Sequence, residues 1–298
     1  MDRFDAMRIL LATVDAGSLS GGSRSLRMPL PTVSRKVSEL EAHLGTRLLV
    51  RARRGLLLTE AGSAFVEASR RLLGDLQEAE RAASGEYRTP RGELRVTASI
   101  MFGKMHVAPM AIAFMQAFSE VQVRLVLADN VVDLPENHLD VAIRIGPLPD
   151  SSLVARRVGS VHWMTCASPD YLARRGIPKT PDDLLEHDCI AFEGLQQSRS
   201  WVFGNRAKPV HINPRYSVNT ADAVIDAASV GVGVARVTSY QAAQAIQAGA
   251  LVSVLSDYVP DHLPVHLVHS GHALLPLKTR AFLDFAMPRL RSCLLERL

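Results

Sequence analysis

Residues 16–59 read AGSLSGGSRSLRMPLPTVSRKVSELEAHLGTRLLVRARRGLLLT, and this stretch decides the fold. Within it Val33, Val37, Leu40 and Leu44 recur at i, i+4, i+7 and i+11, which predicts a helix with one buried stripe. Pro31, Arg35 and Ser38 then project away from that stripe, with Thr32 and Ser34 beside them. A short helix with an apolar back and a front of small polar and basic residues suits the major groove of DNA. An ordinary amphipathic helix with a solvated face has the same pattern, so its neighbours must decide.

Upstream, Phe4, Met7, Leu11 and Val14 share one face of a first helix that stops at Ala16-Gly17. A second helix starts after Ser18 or Ser20, either of which can cap it, and its free N–H groups suit a phosphate. Downstream, Gly45 ends the third helix, and Arg47 to Thr59 reads as strand, turn and strand. The turn carries Arg51, Arg53, Arg54 and Gly55. From Arg24 to Arg54 the basic residues are Arg24, Arg27, Arg35, Lys36, Arg47, Arg51, Arg53 and Arg54, against Glu39 and Glu41 alone. The whole chain is only +4, so positive charge is concentrated here. A basic cluster beside a recognition-like helix favours phosphate contact over a merely solvated hairpin.

These residues resemble the winged helix-turn-helix of the LysR-type transcriptional regulators. The resemblance rests on Phe4-Asp5-Ala6-Met7, Ala16-Gly17-Ser18-Leu19-Ser20, Val33-Ser34-Arg35, Leu40-Glu41, Leu44-Gly45, Arg47-Leu48-Leu49 and Leu58-Thr59-Glu60-Ala61-Gly62, in that order. It implies an α/β protein with an N-terminal winged helix-turn-helix, a long linker helix and a two-lobed effector domain like a periplasmic binding protein. The implied DNA contacts are Ser18, Ser20, Leu30, Pro31, Thr32, Ser34, Arg35, Ser38, Arg51, Arg53 and Arg54. Two departures stand out. The family usually opens its recognition helix with small polar residues, whereas this chain has Pro29-Leu30-Pro31. Proline pushes the preceding residue toward extended geometry, so the helix is expected to start at Pro31. Leu30 can touch a thymine methyl but not an adenine edge, which shifts base reading toward Thr32, Ser34 and Arg35. Gly21-Gly22 stands where the family commonly has alanines, so the second helix is expected to be short or frayed.

The expected boundaries are 1–58 for the DNA-binding domain, 59–85 for the linker helix, 86–92 for a hinge and 93–298 for the effector domain. Thr59 can cap the linker helix. Phe65, Leu72, Leu76 and Ala83 lie at near-heptad spacing, with Ala68 or Ser69 and Ala79 as small neighbours. So thin a seam needs a partner surface. The family pairs two subunits here, which presents two recognition helices to two half-sites; packing against the helix's own domain is the alternative. Pro90 and Gly92 in EYRTPRG, residues 86–92, break the helical pattern.

From Glu93 the pattern changes to strands alternating with helices. Leu94 to Ala98 alternates, Met105 to Phe118 reads as a helix, and Val121 to Ala128 and Leu139 to Ile145 read as strands. At about 200 residues this part is long enough for two lobes. It resembles the family's effector domain at Val141 to Gly146, Ala167 to Leu172, Val218-Asn219-Thr220, Gly231 to Ala235 and Pro264 to Leu290. Crossings near residues 162 and 265 divide it into lobe I, about 93–161 and 266–298, and lobe II, about 162–265. A ligand then sits where strand ends and helix starts converge between the lobes. That points to Ser99, Ile100, Met101, Phe102, Arg144, Ile145 and Gly146 on lobe I, and to Phe192, Glu193, Asn219 and Thr220 on lobe II. Ser99 can equally be a plain helix cap, Phe102 core, and Arg144 a partner of Asp140. Hydroxyls at helix starts beside apolar walls suggest an organic acid or aromatic effector.

No nucleophile elbow, phosphate-binding glycine loop or zinc-protease motif is present, so no enzyme and no catalytic residue is expected. Gly231-Val232-Gly233 lacks a third glycine and reads as close backbone packing. His262, His266, His269 and His272 invite a metal, but His266 and His269 would face opposite sides of a strand, and neither metal nor cofactor is expected. Cys166, Cys189 and Cys293 are widely spaced without a C-x-x-C, which suits a reducing cytoplasm. Cys166 lies in an apolar context and is expected to be buried rather than redox-sensing. No leader pattern or membrane-length apolar run is present. The expected partners are double-stranded DNA, a small effector, a second copy forming a homodimer that assembles into a homotetramer, and RNA polymerase. A DNA-binding architectural protein with an unresponsive ligand domain is the alternative function.

Overall fold

The computed structural model describes residues 2–52, 55–84, 89–193, 199–204, 209–258, 262–271 and 275–295. The chain divides into two compact units, residues 1–88 and 89–298.

The first unit begins with α1 (Arg3–Asp15), capped by the Asp2 carboxylate on the amides of Phe4 and Asp5. α2 (Leu19–Leu26) and α3 (Leu30–Leu44) follow. The core joins Ala6, Ile9 and Leu10 of α1 to Val33, Val37 and Leu40 of α3, with Leu48, Leu49 and Val66. The α3 stripe is therefore the expected one, except that Leu44 is exposed. On α1 the buried face is Ala6, Ile9, Leu10 and Thr13, while Phe4 is exposed and Leu11 and Val14 sit at the margin. Both sets have helical spacing; the structure selects the one with small members because α2 comes very close. A Cβ on Gly22 would lie 2.7 Å from Thr13 Oγ1, and one on Gly21 would lie 2.7 Å from the Ala16 Cβ. The two glycines thus serve the α1–α2 approach, and α2 is short, at eight residues. α3 starts at Leu30, one residue before the expected Pro31, because Pro29 serves as N-cap and both prolines fit the unbonded first turn. Gly45, at φ 66°, ends it in the left-handed conformation.

β1 (Leu49–Ala52) and β2 (Gly55–Leu58) pair antiparallel, Leu49 opposite Leu58. Glu41 ties this hairpin to α3 by accepting from the amides of Leu48 and Leu49 at 2.8 and 3.0 Å. Thr59 caps α4 (Glu60–Ser84), its Oγ1 accepting from Gly62 N at 2.9 Å.

The second unit holds two five-stranded sheets. β3 (Gly92–Ala98), α5 (Ile100–Phe102), a π-helical turn (Gly103–Val107), α6 (Ala108–Ala117), β4 (Val121–Leu127), β5 (Val141–Ile145) and β6 (Leu153–Val161) come first. The chain then builds β7 (Trp163–Ala167), α7 (Pro169–Arg175), β8 (Cys189–Phe192), β9 (Ser200–Trp201), β10 (Val210–His211), β11 (Pro214–Val218), α8 (Ala221–Ser229), β12 (Val234–Thr238), α9 (Ser239–Gln247) and β13 (Val252–Val254). It returns through β14 (Leu263–Ser270) and α10 (Leu277–Leu295). The first sheet has the order β4-β3-β5-β14-β6 and the second β11-β8-β12-β7-β13. β6 ends at Val161 and β7 starts at Trp163, so the outward crossing is His162. Leu263 pairs with Val161 and Pro264 with Ser160, which places the return crossing before Leu263 rather than near residue 265. The ladder explains the shift: both residues complete an antiparallel strand.

In the first sheet β3 runs parallel to β4 and β5, and in the second β8 runs parallel to β11 and β12. The C-terminal ends of these strands, followed by helix starts, are where an open α/β sheet accepts ligands.

Candidate nucleic-acid interface and effector cleft

With Val33, Val37 and Leu40 inside, α3 turns Leu30, Pro31, Arg35 and Ser38 to solvent and leaves Thr32 and Ser34 half-buried. Arg35 is paired with Glu39 at 2.6 Å, one helical turn on, yet keeps 62% of its side-chain surface exposed. So exposed a pair contributes little and costs little to open. In the sequence Glu39 counted only as a local negative charge and not as the partner of Arg35, although the i, i+4 spacing is its signal. Lys36 is turned aside to Asp5 at 3.3 Å. Ser18 caps α2, accepting from Gly21 N at 3.0 Å, and Ser20 stays exposed. Arg51 pairs through its backbone with Leu56 in the hairpin. Arg53 and Arg54 lie outside the described residues.

On α4, Val66, Ser69 and Leu73 are buried within the unit and Phe65 packs against its core. Leu72 is 49% exposed and Leu76 half-buried. Of the expected seam, Phe65 thus belongs to its own domain, and the side chains of Ala79 and Ala83 lie outside the described set. Much of the expected hinge, residues 86–88, also lies outside it.

At the carboxyl edge of the first sheet, Ser99 precedes α5 and makes no cap bond through its side chain. The α5 start is taken instead by Asp129, whose Oδ1 accepts from Ile100 N at 3.0 Å. Burial raises the Asp129 carboxyl above the ordinary 3.8, the Ile100 bond pulls it down, and Asp222 at the start of α8 raises it again. Two carboxylates from opposite lobes therefore share this corner. Tyr240, from α9, is only 5% exposed and joins the core of the first lobe. Its ring lies 5.3 Å from Phe102 and 6.0 Å from His106, centroid to centroid. Burial raises its phenol, while the hydroxyls of Thr238 and Ser99 favour the ionised form. Met101 packs against the cores of both lobes.

Of the sequence-named residues, Ser99, Ile100 and Met101 meet at this edge, with Gly146 bonded to Pro264 O at 2.8 Å. Ile145 packs inward on the first-lobe core. Glu193, Asn219 and Thr220 follow β8 and β11 at the facing edge; Thr220 starts α8 without a side-chain cap bond. Three residues are placed elsewhere. Phe102 is fully buried and Phe192 packs beneath α8, because their strand or helix phase turns them to the cores. Arg144 donates to Val132 O on the far face of the sheet, and burial lowers its pKa while Asp133 opposes the shift. Asp140, its expected partner, accepts from Arg95 N at 2.7 Å instead. Asp129, Asp222, Thr238 and Tyr240 were missed: Asp129, Asp222 and Tyr240 act across lobes, Thr238 acts on Tyr240 within its own lobe, and only the two helix-start positions left a local trace.

His266 and His269 lie on β14 opposite Arg144 and Val141 and alternate in face. His272 lies outside the described residues. Gly233 packs on the Asp188 carbonyl, where a Cβ would not fit. Cys166 and Cys189 are buried, and burial pushes both thiols up to about 12. Among the described residues no helix is long and apolar enough to cross a membrane.

Residues 4–63 match the family described as bacterial regulatory helix-turn-helix protein, lysR family, and residues 88–291 match the LysR substrate binding domain. An HTH-type transcriptional regulator of Xanthomonas campestris pv. campestris is 35% identical over 291 residues, 95% of this chain and 84% of its own length. The structure of CrgA, a LysR-type transcriptional regulator from Neisseria meningitidis, superposes with a TM-score of 0.62 at 28% identity, covering 96% of this chain and 98% of its own. The Vibrio cholerae virulence activator AphB gives 0.61 at 28% identity, with coverages of 95% and 98%. The chain belongs to the LysR family of transcriptional regulators: it is an oligomeric DNA-binding regulator with a domain for small-molecule effectors, and it is not an enzyme.

Proposed function

We propose that α3 reads operator DNA through Thr32, Ser34 and Arg35, with Leu30 and Pro31 against thymine methyls and Ser18, Ser20, Ser38, Arg51, Arg53 and Arg54 on phosphates. The observation that carries this is the burial of Val33, Val37 and Leu40, which leaves Arg35 outward with, among the described residues, only Glu39 to release. Exposed residues of α4 around Leu72 pair two chains, and two pairs form a tetramer that presents its promoter to RNA polymerase in the cytoplasm. The effector binds between the carboxyl edges of the two sheets, near Ser99, Met101, Gly146, Asn219 and Thr220. The Asp129–Asp222 corner favours an aromatic or other partly apolar neutral compound there over the organic acid that the sequence suggested.

A footprint on the DNA upstream of the protein's own gene, with wild type and Arg35→Ala side by side, tests the reading head. A dyad-symmetric protected site that weakens in the variant is the expected result. The variant is expected to lose about 1–3 kcal/mol of discrimination between operator and random DNA. Equal ratios for the two proteins would reduce Arg35 to a phosphate contact.

A further inference from the structure

Arg236 is the charged group that neither the DNA interface nor the cleft explains. On β12, Ala235 and Val237 face the core shared with α8, while Val234 and Arg236 face the opposite side, toward Trp201 and Phe203. The residue is 9% exposed. Its guanidinium carbon lies 4.7 Å from the Phe203 ring centroid and 5.1 Å from that of Trp163, so aromatic rings take up its surroundings. One Nη2 donates to Val202 O, and Nε is buried without a partner. Among the described residues no carboxylate pairs with it. Burial alone accounts for the fall of its pKa to about 10.

We propose that Arg236 is the seat of a small carboxylate, a ligand site on lobe II separate from the Asp129–Asp222 corner. A guanidinium is a planar fork of five N–H donors, and among the described residues one carbonyl, Val202 O, accepts from it. With rings beside it, the unused donors lie in its plane, where a carboxylate accepts two parallel bonds. Among the described residues this buried charge has no counter-ion, which is costly, and a bound carboxylate removes that cost. The half-buried Trp163 offers an adjoining ring surface, so an aromatic carboxylate fits better than acetate. A purely structural pin, by contrast, would need Arg236 only to hold Val202 and the Phe203 ring.

The test uses the full chain and 4-fluorobenzoate, followed by fluorine NMR, with melting temperature read in sodium benzoate against sodium chloride of equal ionic strength. Wild type is expected to bind saturably at millimolar concentration and to melt higher in benzoate. Arg236→Met is expected to lose affinity by roughly tenfold or more, while melting no lower than wild type without benzoate. Asp129→Asn is expected to bind as wild type does. Should Arg236→Met not fold, Arg236→Lys decides, because lysine keeps the charge but not the fork, and weaker binding is expected. The proposal is overturned by no benzoate response in wild type, by unchanged binding in Arg236→Met or Arg236→Lys, or by binding that follows Asp129.

Discussion

Two glycines of α4 show how one residue type answers to opposite demands. Gly62 sits against the Leu48 carbonyl so closely that a Cβ would overlap it, whereas Gly74 has nothing within 4 Å. Gly62→Ala forces backbone apart and is expected to destabilise the first unit by about 2 to 3 kcal/mol. Gly74→Ala meets open space in a helix interior and is expected to stabilise it by about 1 kcal/mol. Urea denaturation of the two variants checks both signs; a stabilised Gly62→Ala would contradict the packing of the hairpin on α4. A chemical prediction belongs at the same scale. Cys166 and Cys189 are enclosed, with thiols pushed up to about 12, so iodoacetamide at neutral pH is expected to leave both unmodified in native protein, as read by peptide mass. Residues that act through their own helix were legible in the sequence: Ser18, Thr59 and the Val33-Val37-Leu40 stripe occupy the places their spacing implies. Asp129 was not, because its role is set by an amide 29 residues earlier in the chain and a carboxylate from another lobe.

In the first unit the elements were legible in order and type, but their faces and first residues were settled by packing; in the second, the single helix expected over Met105 to Phe118 is instead α5, a π-helical turn and α6. The α3 start moved to Leu30 because a helix's first turn needs no intrahelical N–H bond, which lets a second proline sit inside it. The buried face of α1 rotated toward Thr13 because α2 brings its glycines there, a demand invisible in α1 itself. α4 divides its apolar residues in the same way. Val66, Ser69 and Leu73 serve their own unit, and Leu72 is left 49% exposed on a neighbouring face. Placing a charge there removes apolar area from the proposed subunit contact without touching the core. Leu72→Lys is expected to shift sedimentation toward monomer and weaken operator binding, while the thermal unfolding of the DNA-binding unit stays unchanged. An unaltered sedimentation coefficient would place the subunit contact elsewhere.

For the molecule as a whole, burial of imidazoles couples the second unit to pH. His162 is the crossing between the sheets, His187 precedes β8 and His266 lies on β14. Each is lowered from the ordinary 6.5 first by burial, and then by His262, Arg175 and Arg157 respectively. An unfolded chain takes up these protons as pH falls through 6.5, while the folded unit resists them. The stability these groups contribute is therefore present above 6.5 and is lost as pH drops below it toward their folded values. Asp129 has the opposite sign: its raised carboxyl contributes stability fully present below 3.8 and lost as pH rises through its folded value. The two trends are separable because they begin from opposite ends of the acid range. Melting temperature is expected to fall between about pH 7 and about pH 5.5, with a shallower fall in His162→Asn. Asp129→Asn, which removes a half-buried charge repelled by Asp222, is expected to melt higher near neutral pH and to leave the histidine-driven slope intact. A wild-type curve that is flat or rising across that interval would mean the three imidazoles reach water in the folded state. A lowered neutral-pH melting temperature in Asp129→Asn would instead show that the charge-assisted bond to Ile100 outweighs the repulsion across the lobes.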